Sequence, residues 1–94
     1  MNRVFWVVCY DIANDRRRYR VMKALEGFGR HVQESVFECE LNETRLLRLE
    51  GLLQRLINEQ EDNVRFYPLN EADLKKVRML GTATLQRSEA TVIV

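Results

Sequence analysis

The sequence contains few residues that interrupt helices and strands, bind metals or form disulfides: one proline, four glycines, one histidine and two cysteines among 94 residues. This scarcity of proline and glycine, together with 46% hydrophobic and 31% charged residues, excludes a disordered chain and indicates one compact domain. Cys9 and Cys39 have neither CxxC nor Cys/His spacing, so we expect buried free thiols and no zinc site. No serine or cysteine lies in a nucleophile motif, which gives no support to nucleophilic catalysis.

Long apolar stretches and a strong net charge are also absent. No apolar run approaches the roughly 18–20 residues that a membrane span requires, and the N-terminus has no signal-peptide pattern. We therefore expect a cytoplasmic protein with no membrane contact. The net charge is only +1, but residues 1–30 carry seven basic against three acidic side chains, whereas residues 31–62 carry three against eight. A basic end of this kind can bind phosphate without the whole chain being basic.

The chain is organised around residues 4–11, which read VFWVVCYD. Seven consecutive apolar or aromatic residues, rich in β-branched and aromatic types, are typical of a strand that is covered on both faces. A strand with one solvated face would instead alternate polar and apolar residues. We therefore predict a central strand, with the carboxylate of Asp11 at the point where the chain leaves it.

The remaining chain alternates between helical and extended patterns. Asn14 and Asn42 are good N-cap residues, and each precedes a stretch with apolar residues at helical spacing. The predicted elements are helices at 15–28 and 43–58, two short strands within 31–41 that meet near Glu34 and Ser35, an acidic loop at 59–62, a strand at 63–69, a helical turn from Asn70, a short strand at 76–80 and a terminal strand at 90–94.

The order β-α-β-β-α-β predicts an α+β domain of the ferredoxin-like class, with a four-stranded sheet and both helices on one face. The other sheet face would be bare, although residues 4–11 offer apolar side chains to both faces. A second copy of the chain is the simplest cover, so we predict a homodimer whose sheets pack face to face. Residues 1–81 form the predicted domain, and residues 82–94 form a C-terminal segment whose strand pairs across the dimer.

Asp11 has two interpretations. It is either a strand-end carboxylate that caps a helix or pairs with Arg17 or Arg18, or an oxygen ligand for a divalent cation that activates water. Both arginines lie in the first turn of the predicted helix, so we expect them near Asp11. One carboxylate is a poor Mg²⁺ site, but a dimer axis through this region would bring two together.

The basic residues along the first helix also have two interpretations. Arg16, Arg20 and Lys23 cluster on its solvent side. Such a run is either a solvated face or a surface for a phosphate backbone. His31, next to Arg30, is either a plain surface residue or a further phosphate contact.

Three blocks of the sequence have a recognisable pattern: VVCYDIANDRRRYRV at 7–21, GFGRHVQESVFECEL at 27–41 and VRFYPL at 64–69. In composition, order and spacing they resemble the Cas2 family of small CRISPR-associated proteins, over about residues 4–81. The resemblance implies a ferredoxin-like homodimer whose C-terminal strands add to the partner's sheet. It also implies a function in CRISPR spacer acquisition, in which a Cas2 dimer bridges two dimers of the Cas1 integrase and holds a DNA duplex.

The same resemblance implies metal-dependent endonuclease activity on single-stranded RNA or double-stranded DNA, with Mg²⁺ as the cofactor. Asp11 matches the family's aspartate, which pairs with its dimer mate around the metal. Where many members have a basic residue before VQxSVF, this chain has His31, and an ordinary histidine is mostly neutral at pH 7. Further catalytic positions implied by the family match Tyr10, Arg18, Arg20 and Phe37, of which the two aromatic residues are by themselves more typical of a core.

Three functions follow. The first is a dimeric scaffold that binds nucleic acid for the integrase. The second, which does not exclude the first, is a Mg²⁺-dependent phosphodiesterase in which Asp11 from each subunit holds the metal and Arg18 and Arg20 place the phosphate. The third is a toxin-type mRNA endoribonuclease of related ferredoxin-like fold. The predicted nucleic-acid-binding residues are Arg16, Arg17, Arg18, Arg20, Lys23, Arg30 and His31.

Overall fold

The computed structural model describes residues 2–87, which form four strands and three helices. The first and last strands have the predicted bounds, and the two short strands between the long helices meet at residues 34–35 as expected. The elements are β1 (Val4–Asp11), α1 (Asp15–Glu26), β2 (Arg30–Gln33), β3 (Val36–Leu41), α2 (Glu43–Leu56), β4 (Asn63–Leu69) and α3 (Glu71–Leu74).

The four strands form one antiparallel sheet in the order β2-β3-β1-β4. β1 pairs with β3 on one side and with β4 on the other, so Val8 lies opposite both Phe37 and Phe66. α1 and α2 pack together on one face of this sheet. The arrangement confirms the predicted ferredoxin-like α+β class and the central place of residues 4–11.

The hydrophobic core lies between the helices and the sheet. α1 contributes Val21 and Leu25, and α2 contributes Leu49 and Leu53, each pair at a helical spacing of four residues. Full burial of side chains of this size contributes roughly 1.5–3 kcal/mol each. The sheet and the residue after β1 supply the other core side chains, which are Val8, Tyr10, Ile12, Phe37, Cys39 and Leu41.

Both long helices start at the predicted N-caps. The side chains of Asn14 and Asn42 each accept a hydrogen bond from the backbone N–H three residues later, at 2.9 Å. Both helices end two residues before their predicted ends, and α2 stops because Ile57 has an extended backbone with φ −85° and ψ 163°. Within residues 2–87, no helix is long and apolar enough to cross a lipid bilayer.

The chain after β4 differs in part from the prediction. α3 starts at Asn70 as expected, with reciprocal hydrogen bonds between Asn70 and Asp73. The predicted short strand at 76–80 is wrong, because this segment has no strand conformation. The backbone N–H of Val77 donates to Leu74 O at 3.3 Å and continues the turn of α3. A strand needs another strand's backbone to pair with, and the described part of the chain offers this segment none.

The sheet face away from α1 and α2, here called the open face, presents alternate residues of each strand. β1 places Val7, Cys9 and Asp11 on the open face, and the pairing register puts Arg65 and Tyr67 of β4 beside them. Val7 and Cys9 are only half-buried. The central strand therefore carries apolar side chains on both faces, as predicted.

The C-terminal part of the described chain crosses the β2–β3 half of the open face. Arg30 donates from Nη1 to Thr84 O at 3.3 Å, and Arg87 lies 3.8 Å from a carboxylate oxygen of Glu40. A cavity of about 380 Å³ remains between this segment and the sheet. The predicted terminal strand at 90–94 lies outside the described residues, so its pairing across a dimer stays a prediction.

Gly29 has the tightest surroundings of the four glycines. A Cβ atom at this position would overlap Cys39 Sγ and the backbone oxygen of Glu38 on β3. Cys39 is fully buried, and burial raises the pKa of its thiol to about 11, so it is a protonated packing group at neutral pH. The connection from α1 to β2 can therefore lie flat against β3 only with glycine here.

We predict that Gly29→Ala destabilises the protein, because the added methyl forces backbone and core atoms apart. Overpacking of this kind typically costs about 1–3 kcal/mol, and each kcal/mol lowers Tm by roughly 4–8 °C in a domain of this size. Gly51→Ala is the matched control. Its Cβ would lie 3.8 Å from the nearest atom, within α2, and a stabilisation of about 0.5–1 kcal/mol is expected. Equal Tm values for the two variants in thermal unfolding would show that close packing against β3 does not require glycine at position 29.

Candidate functional site

Asp11 ends β1 on the open face, and its side chain is exposed. It lies opposite Asn63, the first residue of β4, at the margin of the sheet. Asp11 borders two clefts, of about 300 Å³ and about 140 Å³. The larger cleft is also lined by Cys9, Tyr10, Asn63, Arg65 and Tyr67, and the smaller by Tyr10, Ile12, Arg18, Glu34 and Ser35.

Tyr10 fixes the turn between β2 and β3 next to Asp11. Its hydroxyl donates to Glu34 O at 3.1 Å, and its backbone N–H donates to Ser35 O at 3.1 Å. Burial raises the pKa of Tyr10 above its ordinary value of 10.0, so the hydroxyl stays protonated at neutral pH. The geometry of Tyr10 is therefore that of a hydrogen-bond donor that positions one wall of the smaller cleft.

Phe37 and His31 form a stacked pair behind the same turn. Their rings are parallel, with an angle of 2° and centroids 4.4 Å apart. His31 Nε2 lies 3.0 Å from Glu34 O, the oxygen that also accepts from Tyr10. Phe37 is fully buried, so it reaches bound molecules only through His31 and Tyr10, while His31 remains exposed at the edge of the sheet.

The expected ion pair between Asp11 and Arg17 or Arg18 is not formed. Arg18 does line the smaller cleft with Asp11, but it donates from Nε and Nη2 to Ile12 O and from Nη1 to Asp15. Arg18 thus holds the loop that follows β1. Arg17 binds a different carboxylate, that of Asp62.

Asp62 is the partner of Arg17 and was not foreseen from the sequence, where it belonged to an acidic loop. Its carboxylate is fully buried and accepts from Arg17 Nε at 2.8 Å and Nη2 at 3.2 Å. It also accepts from the backbone N–H groups of Ala13 at 2.9 Å and Asn58 at 2.8 Å. These four hydrogen bonds join the loop after Asp11, the first turn of α1 and the connection from α2 to β4.

The hydrogen bonds from Arg17 and the two backbone groups hold the pKa of Asp62 well below its ordinary value of 3.8. Arg17 makes a second ion pair, from Nη2 to Glu61 at 2.7 Å. The guanidinium of Arg17 therefore pairs with two carboxylates, although Arg17 was among the predicted nucleic-acid-binding residues. Nothing in the local sequence marked Asp62 as an ion-pair partner, because Arg17 and Ala13 lie 45 and 49 residues away in the chain.

The remaining basic residues of α1 are exposed. Arg16 and Arg20 form no ion pair within residues 2–87, and Lys23 pairs with Glu26 one turn later at 3.1 Å. Arg30, at the start of β2, is engaged with Thr84. Of the predicted nucleic-acid-binding residues, Arg16 and Arg20 have the most accessible charges.

Two residues of the larger cleft were missed at the level of sequence. Arg65 and Tyr67 alternate along β4 and share the open face with Asp11, and Arg65 Nη1 donates to the Tyr67 hydroxyl at 3.4 Å. The signal was the alternation in NVRFYPL, but the pairing register was needed to place it beside Asp11.

Within residues 2–87, no group of three or more His, Cys, Asp or Glu side chains is placed to hold a metal ion. Asp11 supplies a single exposed carboxylate. Mg²⁺ commonly binds through one or two carboxylates, with water and substrate phosphates completing its octahedron. The single Asp11 carboxylate of one chain therefore fits only a metal ion that takes most of its ligands from water, phosphate or a second chain.

Comparison with known proteins gives a consistent result. The sequence profile of the family described as CRISPR associated protein Cas2 matches residues 4–77. The chain is 40% identical over 89 residues to the CRISPR-associated endoribonuclease Cas2 3 of Synechocystis, which covers 95% of this chain and 97% of that relative.

Solved structures show the same likeness. The crystal structure of the hypothetical protein TT1823 from Thermus thermophilus has a TM-score of 0.80 and 36% identity, over 89% of this chain and 98% of that one. A chain of a partial Cas6-RT-Cas1–Cas2 complex has a TM-score of 0.75 and 29% identity, over 90% of this chain and 96% of that one.

We predict that Asp62→Asn lowers Tm at neutral pH, and by a much larger amount than Glu61→Gln. Asp62 is fully buried, whereas the Glu61 side chain is 55% exposed. Because the folded state lowers the pKa of Asp62, its stabilising contribution is complete above 3.8 and is lost as the pH falls below that value. The Tm difference between wild type and Asp62→Asn should therefore shrink between about pH 7 and about pH 3. A difference that stays constant over this range in circular-dichroism melts would contradict the assignment.

Proposed function

The chain belongs to the Cas2 family of CRISPR-associated proteins, and from this premise we propose that it acts in spacer acquisition as a dimeric nucleic-acid-binding protein with Mg²⁺-dependent endonuclease activity. The solved complex that contains Cas1 and Cas2 supports Cas1 integrase dimers as its partners. The relative from Synechocystis is named an endoribonuclease, which supports cleavage of RNA, with duplex DNA as the other substrate class. The family match favours this function over a toxin-type nuclease. We expect the protein to act in the cytoplasm, where its nucleic-acid substrates occur.

The observation that carries the enzymatic part is the isolation of the Asp11 carboxylate. It is exposed, it borders two clefts, and neither neighbouring arginine of α1 neutralises it. A strand-end aspartate with a purely structural function would pair or cap, as Asp62 does. A free carboxylate at the margin of the open face is instead suited to a cation shared with a second chain.

The dimer brings the two halves of this site together. The half-buried Val7 and Cys9 lie on the open face, where a second copy would complete their burial. Bound Mg²⁺ would supply an activated water and neutralise charge on the phosphate. Asp11 from each protomer would hold it, while Tyr10 and Arg18 keep the surrounding loops in place through Glu34 O and Ile12 O.

The exposed charges of α1 suit contact with a nucleic-acid backbone. Arg16 and Arg20 lie one turn apart on the solvent side of the helix, and neither is consumed by an ion pair in the described chain. Guanidinium groups bind phosphate in a bidentate manner and release counterions, which contributes sequence-independent affinity. Binding through α1 and chemistry at Asp11 are therefore separable in this proposal.

Asp11→Ala should reduce cleavage of labelled single-stranded RNA or duplex DNA to the level seen with a chelator, because the metal loses its protein ligand. Glu50→Ala, which removes an exposed carboxylate from α2, is the matched control and should cleave like wild type. All three proteins are prepared identically and assayed with Mg²⁺. Equal activity in wild type and Asp11→Ala would show that Asp11 is not catalytic.

Arg16→Glu combined with Arg20→Glu should abolish nucleic-acid binding, while Asp11→Ala leaves it intact. Arg48→Glu with Arg55→Glu is the matched control, since it makes the same charge change at two exposed positions of α2. Fluorescence anisotropy with labelled duplex DNA measures the affinities, and the salt dependence of the wild type should be steep. Loss of binding in the α2 variant alone, or in Asp11→Ala, would overturn this division of functions.

A further inference from the structure

Arg65 lies on the open face immediately beside Asp11. The register pairs Asp11 with Asn63 and Cys9 with Arg65, so Arg65 is the diagonal neighbour of Asp11 on the adjacent strand. Diagonal neighbours on one face are roughly 7–8 Å apart, within reach of long side chains. Asp11 and Arg65 also line the same cleft of about 300 Å³.

The guanidinium of Arg65 is available for a ligand. The residue is exposed, and its hydrogen bond from Nη1 to the Tyr67 hydroxyl leaves its other donors open to the cleft. Within residues 2–87 it forms no ion pair, not even with Asp11. A positive and a negative side chain thus line one cleft without forming an ion pair, so the guanidinium is available to an anion.

We propose that Arg65 binds a phosphate group of the nucleic acid at the Asp11 cleft, with Tyr67 orienting the guanidinium. This inference rests on the proposed function and adds a phosphate contact on β4, beside Asp11, to the contacts of Arg16 and Arg20 on α1. Arg17 is occupied by Asp62 and Glu61, and Arg18 by Ile12 O and Asp15. Arg65 is the arginine that lines the larger cleft.

Arg65 lies near one corner of the open face. β4 is an edge strand of the sheet formed by residues 2–87, and Asn63 is its first residue, so Arg65 and Asp11 lie near the same end of that edge. The carboxylate of Asp11 alone would repel phosphate, and the adjacent guanidinium offsets that repulsion.

Arg65→Gln should weaken binding of a labelled DNA duplex or single-stranded RNA about tenfold or more, since a hydrogen bond to a charged group is lost. The slope of log K against log salt should fall by about 0.9 per lost contact for duplex DNA, or about 0.7 for a single strand. Arg65→Lys keeps the charge and should retain the wild-type slope. Anisotropy titrations in Ca²⁺ separate binding from cleavage, and Arg48→Gln serves as the control for an exposed arginine elsewhere.

The outcomes are distinguishable. If Arg65→Gln binds with the wild-type slope while Arg16→Glu with Arg20→Glu abolishes binding, the inference about Arg65 is wrong and the proposed function stands. If wild type binds neither nucleic acid, the proposed function fails and Arg65 has no phosphate to contact. If Arg65→Gln and Arg65→Lys both lower Tm, Arg65 stabilises the fold and the inference is overturned.

Discussion

β1 is the constraint on which the other elements depend. It pairs with β3 from Val4 to Cys9 and with β4 from Phe5 to Asp11, and it carries apolar side chains on both faces. One face is covered by α1 and α2, which fixes the helices on that side through Val8 and Tyr10. β1 ends at the exposed margin of the sheet, and the carboxylate of Asp11 lies at that end. The candidate site is thus a consequence of where a fully paired strand meets solvent.

Five arginines near the candidate site divide into two groups with different physical functions. Arg17 and Arg18 lie in the first turn of α1 and bind groups of the same chain, a buried carboxylate and a loop carbonyl. They stabilise the loop after Asp11, and carboxylates of the same chain largely neutralise their charges. Arg16, Arg20 and Arg65 are exposed and unpaired within residues 2–87, so their charges remain available to a polyanion. Sequence position alone does not separate the two groups.

The fold was predictable because its signals are local. The apolar run at 4–11, the asparagine caps and the leucine spacing each depend on a few neighbouring residues, and each predicted its element. The predicted strand at 76–80 failed because strand formation depends on a partner elsewhere in the assembly. Asp62 and Arg65 were missed for the same physical reason, since a buried ion pair and a cross-strand neighbour are defined only by tertiary register. Asp11 was found because the end of a strand is visible in the sequence.

The charge of Asp11, at the corner of the open face, affects both dimer formation and ligand binding. In the proposed dimer two copies of Asp11 share one site, where their like charges repel each other. This repulsion opposes association, because within residues 2–87 neither Arg17 nor Arg18 pairs with Asp11. Any ligand that binds the paired site more tightly than the separate halves stabilises the dimer by mass action. A divalent cation held by both Asp11 carboxylates would meet that condition, so in the proposed dimer metal binding and dimerisation are expected to reinforce each other.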